Sequence, residues 1–122
     1  MSRDETSGRP GGIRPARERR TWQGAVCGAD AGSIVLYDDG RLERDAFTSG
    51  LSMRGGPGVA AALDDAAALF ALDLELVPWW CPGCAASYCG AHWSHWPVFD
   101  DEGFLDCIRG CCPHGHERML ED

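Results

Sequence analysis

The 122-residue chain contains no lysine, and all eleven of its basic side chains are arginine. No apolar run approaches the roughly 18 residues of a membrane span, so no membrane partner is expected. The N-terminus is polar and arginine-rich and has no apolar segment of the kind a secretory signal needs. The expected location is therefore the cytoplasm, where thiols stay reduced and cysteine pairs point to metal or catalysis rather than to disulfides. The seven cysteines are an odd number, which excludes complete internal disulfide pairing. The metalloprotease pattern H-E-x-x-H is missing, because His116-Glu117 has no second histidine after it. The zinc-deaminase pattern is missing too, since no H-x-E precedes Pro78-Trp79-Trp80-Cys81. With no catalytic constellation in view, an enzyme is not expected.

The formal charge of −8 is divided unevenly. Residues 1–20 carry six arginines against Asp4, Glu5 and Glu18, a net +3, and the remainder carries −11. An acidic body repels a phosphate backbone, which counts against nucleic acid as a partner and favours a protein, a basic one in particular. Residues 1–20 are also rich in Gly, Pro, Ser and Thr with almost no large apolar group. Such a segment cannot offset its own ordering entropy, so it reads as a disordered basic leader, with a single domain over 21–122.

Within that domain, Ser33–Tyr37 is β-rich, Asp38-Asp39-Gly40 signals a turn, and Arg41–Phe47 can return as the partner strand of a hairpin. Glycines and Pro57 mark a loop over 49–58. Val59 to about Leu74 reads as one amphipathic helix with Leu63, Ala67, Phe70 and Leu74 on its apolar face and Asp64 and Asp65 near its start. Glu75–Val77 reads as a short extended link. Trp93–Phe99 and Phe104–Arg109 read as strands, with Pro97 hinting at a sheet edge or a bulge. His116–Leu120 is expected to form at most a helical turn. The fold class that follows is α+β: a hairpin, one helix and a C-terminal zinc-knuckle β region over 79–122.

The chemistry is concentrated between Cys81 and His116, which holds six of the cysteines and all four histidines. Ligands separated by two residues can grip one tetrahedral ion from a tight turn, and zinc takes thiolate sulfur and imidazole nitrogen in that geometry. Cys81-Pro82-Gly83-Cys84 supplies both ligands and turn residues. Cys89-x-x-His92 is a second pair, and Cys112-Pro113-His114-Gly115-His116 a third. Cys27-x-x-Asp30 is a candidate fourth, in which Asp30 is either an oxygen ligand or an ordinary turn residue. One ion could take Cys81, Cys84, Cys89 and His92. A two-ion arrangement uses every pair, with Cys27, Asp30, Cys81 and Cys84 at the first Zn²⁺ and Cys89, His92, Cys112 and His116 at the second. Cys107 reads as a small buried hydrophobe, and Cys111 as a spare neighbour of Cys112. His95 and His114 are expected at the surface or beside the ligands. Trp79, Trp80, Tyr88, Trp93 and Trp96 are expected to pack around the metal, with a peptide-binding aromatic patch as the alternative.

The order of these ligands resembles the in-between-RING (IBR) zinc module of the RBR ubiquitin ligases. In that module a distant pair joins C-x2-C and the next pair opens a second ion's ligand set. The resemblance covers the ligand skeleton alone, with His92 in place of a cysteine. Residues 59–122, through C-P-x-C, Y-C-x-x-H-W and C-P-x-G-H-E-R-M-L-E-D, resemble a group of small uncharacterised bacterial zinc-binding proteins, which implies metal binding and no particular activity. The expected role is a structural zinc protein serving as an interaction or accessory module. Trp80-Cys81-Pro82-Gly83-Cys84 also resembles the thioredoxin motif with Pro and Gly exchanged, and the alternative is a thiol–disulfide redox protein using Cys81 and Cys84.

Overall fold

The computed structural model describes residues 17–122. Four strands form an antiparallel meander in chain order: β1 (Arg17–Gln23), β2 (Asp30–Tyr37), β3 (Arg41–Ala46) and β4 (Gly50–Arg54). The expected hairpin is β2–β3. Gly40 closes its turn at φ 89°, a conformation that favours glycine, and donates its amide to the Tyr37 carbonyl at 3.0 Å. The expected disordered leader extends too far, because Arg17–Arg20 belong to β1, paired with Ile34–Tyr37. Residues 1–16 of that segment lie outside the described residues.

The single helix expected over 59–74 is divided into α1 (Val59–Ala62) and α2 (Ala66–Leu72). Asp65 causes the break. It adopts an extended conformation, and its carboxylate accepts the Ala67 and Ala68 amides at 3.0 and 3.2 Å, capping α2 afresh. The break shifts the inward face, so that Leu63, Ala66 and Leu69 are buried while Ala67 is exposed. Asp73 repeats the device, accepting the Glu75 amide at 3.0 Å and starting a 3-10 turn at Leu74–Leu76 where an extended link was expected. No helix among the described residues is long and apolar enough to cross a membrane.

The C-terminal half is built from β5 (Trp80–Cys81) paired with β6 (Ala86–Ser87), followed by the antiparallel meander β7 (Ser94–Phe99), β8 (Leu105–Cys111) and β9 (Glu117–Glu121). Pro97 lies on β7, an edge strand. The helical turn expected at 116–120 is strand β9 instead: Arg118 and Leu120 alternate inward, and the strand pairs with β8. The described residues are thus mostly small antiparallel sheets with two short helices: the expected hairpin and C-terminal β region are present, and the expected single helix is divided.

Two apolar clusters hold these parts. The first packs Ile34 and Leu42 of the four-stranded sheet against Leu63, Leu69, Leu76, Val77 and Trp79. Trp79 is fully buried, and it lies so close to β2 that a Cβ on Gly32 would sit 2.1 Å from its Cε3. The second cluster is Cys81, Tyr88, Trp93, Cys112 and Leu120, with Phe47 against it. Two buried arginines join the halves. Arg44 of β3 reaches Glu121 of β9 at 3.0 Å and the Ser49 carbonyl at 2.7 Å. Arg118 of β9 donates to the carbonyls of Leu74, Val77, Trp80 and Met119 at 2.7–3.0 Å, with its guanidinium 4.9 Å from the centre of the Phe70 ring.

Candidate metal centre

Strands β5 and β6 enclose the Pro82–Ala85 turn, with Cys81 at the end of β5 and Cys84 within the turn. The β8–β9 connection presents Cys112 and His116, closed by Gly115 at φ 86° donating to the Cys112 carbonyl at 3.0 Å. The two turns face each other. The ligand atoms of Cys81, Cys84, Cys112 and His116 all lie within 4.8 Å of one another. Cys84 Sγ is 3.8 Å from Cys112 Sγ, and His116 Nδ1 lies 3.5, 3.3 and 3.5 Å from the sulfurs of Cys81, Cys84 and Cys112. Zinc bonds of about 2.3 Å to sulfur and about 2.05 Å to nitrogen separate two sulfurs of a tetrahedron by about 3.8 Å, and a sulfur and a nitrogen by about 3.6 Å. These four distances match the spacing of a tetrahedral site. Gly83 permits the approach, since a Cβ there would sit 3.0 Å from the His116 ring.

The surroundings polarise the thiols in opposite directions. Burial pushes Cys81 up to about 11. Burial also opposes ionisation of Cys112, but amides of His116 and His114 at 3.4 and 3.3 Å, with the Cys81 and Cys84 thiols, outweigh it and bring Cys112 down to about 7. Tyr88 is raised to about 12, chiefly by its interaction with Cys84 and then by burial. Its hydroxyl lies 3.2 Å from His114 Nδ1, and the same nitrogen is 3.4 Å from Cys84 Sγ. His114 therefore sits against the group, within reach of both Cys84 and Tyr88.

The chain belongs to the DUF8328 family. The family model, described as a domain of unknown function, matches residues 59–122, more than half of the chain. No curated protein and no solved structure matches it. All four members of the group just described lie within the DUF8328 segment. The four-stranded sheet precedes it.

A second group joins the two parts. Cys89 and His92 come from the DUF8328 segment and Cys27 from the β1–β2 connection, again with ligand atoms within 4.8 Å of one another. Cys27 Sγ and His92 Nδ1 each lie 3.2 Å from Cys89 Sγ. The β1–β2 connection is docked by the Ala25 amide donating to the Ser87 carbonyl at 2.8 Å. Gly24 lets the two segments approach, since a Cβ on it would sit 3.0 Å from the Cys89 nitrogen. Cys89 is lowered to about 7, first by Cys27 and then by His92, against the effect of its burial.

The expected pairing of pairs is therefore wrong in its partners. Cys27 does not meet Cys81 and Cys84, and Cys89 with His92 does not meet Cys112 and His116. The pairs interleave, first with third and second with fourth, which also departs from the IBR ligand order. The physical reason is the β5–β6 hairpin. Its turn points at the β8–β9 connection, while the chain leaving β6 is bound to the β1–β2 connection through Ser87. Asp30 is in neither group, and its carboxylate accepts the Gln23 side-chain amide at 2.9 Å. Cys107 is buried on β8, and half-buried Cys111 joins neither group. Of the aromatics expected around the ligands, Tyr88 and Trp93 pack with Cys81 and Cys112, and Trp79 with Cys89, whereas Trp96 is exposed. Sequence reasoning missed Arg118 altogether, since nothing in an arginine near the C-terminus signals four backbone acceptors.

Proposed function

We propose that the chain is a zinc-stapled interaction module whose C-terminal half is held by one Zn²⁺ on Cys81, Cys84, Cys112 and His116. The observation that carries this reading is the donor spacing, 3.8 Å between the Cys84 and Cys112 sulfurs, 3.3–3.5 Å from the three sulfurs to His116 Nδ1, and all four ligand atoms within 4.8 Å of one another, reached with four protein donors and no position left over. Three thiolates and one imidazole in a tetrahedron suit zinc among the common divalent ions, and a closed donor set suits a structural rather than a catalytic ion. The redox alternative fits less well. Cys81 is buried, its thiol is pushed up to about 11, and it stands on a strand rather than at the start of a helix.

A protein partner is supported by the β7–β8 hairpin. Phe99, Phe104 and Leu105 are 59%, 68% and 59% exposed there, beside Asp100, Asp101 and Glu102. An apolar tip with an acidic turn fits a partner offering an apolar patch with a basic rim.

Metal content by native mass spectrometry tests the staple. Cys112→Ser should lose the zinc carried by this group and most protection from hydrogen exchange over residues 79–122. Full zinc content and an unchanged melting curve in Cys112→Ser would refute the assignment.

A further inference from the structure

The Cys27, Cys89 and His92 group differs in kind from the four-donor group. Only three donor residues converge, and among the described residues no fourth His, Cys, Asp or Glu places a ligand atom with them. The nearest acid along the chain, Asp30, is held by Gln23. One face is open to solvent, because Cys27 is exposed while Cys89 is buried and His92 half-buried. A divalent ion bound by two thiolates and a neutral imidazole carries no net charge, whereas the four-donor group with its ion carries one negative charge. The three-donor complex can therefore accept one more anionic donor without exceeding the charge that its neighbour already bears. The ion's preference among donors, borderline-soft for zinc, favours sulfur.

We propose that Cys27, Cys89 and His92 form a second zinc site with one exchangeable coordination position, and that this position takes a small exogenous monothiol. The exchange is simple ligand substitution. The thiol gives its proton to solvent, its sulfur forms the bond to the metal, and the water that held the position leaves as water; no electron is transferred. The site goes beyond the structural staple and shares none of its residues, so the two stand or fall separately. Two thiolates, one imidazole and one exchangeable position form a set that zinc also uses in catalysis.

Cobalt substitution tests the site, because thiolate–cobalt bonds absorb in the near ultraviolet where zinc is silent. The full chain should bind two cobalt ions. Adding 2-mercaptoethanol should raise the charge-transfer absorbance by about one-fifth, as five protein thiolate bonds become six. Cys27→Ala and Cys27→Ser, changed at an exposed position, should keep the far-ultraviolet circular dichroism, bind one ion and lose the response. A competing chelator should remove zinc from the wild type in two phases, with the faster phase absent from both variants. The proposal is overturned if the wild type binds one ion, if two ions bind and the thiol changes nothing, or if Asp30→Ala loses the second ion. It is equally overturned if the purified chain carries a Cys27–Cys89 disulfide, seen as a loss of two hydrogens in denaturing mass spectra. A single ion whose loss follows Cys112→Ser but not Cys27→Ser would sink this site and leave the staple standing.

Discussion

Replacing Arg118 with Met should be among the most damaging changes outside the metal ligands. Methionine keeps much of the apolar stem while removing the guanidinium that lies over the Phe70 ring and serves the Leu74, Val77, Trp80 and Met119 carbonyls. A buried acceptor left without a partner costs about 1–3 kcal/mol. Two of these carbonyls keep a second donor, since Val77 O also accepts the Trp80 amide and Leu74 O the Val77 amide. The sum therefore belongs toward the low end. Some of the loss is offset because the cation no longer has to be buried, a penalty visible in the lowering of Arg118 to about 10. A net cost of about 2–4 kcal/mol follows. In a domain of this size that lowers the melting temperature by roughly 10–20 °C. Urea denaturation of the metal-loaded protein measures it. Arg118→Lys should not restore stability, because an ammonium offers three donors from a point and cannot span carbonyls on two sides of the chain. A loss below about 0.5 kcal/mol in Arg118→Met would show that the carbonyls find other partners and that the arginine does not hold the 3-10 turn to β9.

Two further changes test how the halves are joined. Gly32→Ala places a methyl group against the Trp79 ring and should destabilise by at least the ~1–3 kcal/mol of an overpacked core; a melting temperature equal to wild type would mean that the tryptophan yields without cost. Glu121→Gln leaves the Arg44 guanidinium, 1% exposed, without its carboxylate and should cost about 3–5 kcal/mol by denaturant midpoint, with Arg44→Met in the same chain recovering part of the loss. Equal stability of Glu121→Gln and the wild type would show that the pair adds nothing to the junction.

The hairpin was legible in the chain because its signals are local: a β-rich run, Asp-Asp-Gly, and a returning run that alternates. The edge position of Pro97 and the burial of Cys107 could be read for the same reason. The helix was legible as helix-forming composition, but its continuity was not. Asp65 can favour a helix start through its charge or interrupt a helix through its carboxylate, and only the packing of Leu63, Ala66 and Leu69 on the sheet selects the second.

The amino-acid sequence alone determined which residues could serve as donors and that all but Cys27 would come in turn-borne pairs, since two side chains three or four positions apart on a Gly-bearing turn converge whatever surrounds them. It could not determine which pairs would meet. That depended on where the β5–β6 hairpin points and on the Ala25–Ser87 bond, a contact between residues more than sixty positions apart. It also could not show Asp30 engaged elsewhere, or Arg118 turned inward onto backbone carbonyls. Local spacing sets what one turn can offer a metal; the tertiary structure decides which turns face each other, because that choice is made by long-range burial and hydrogen bonding rather than by the turns themselves.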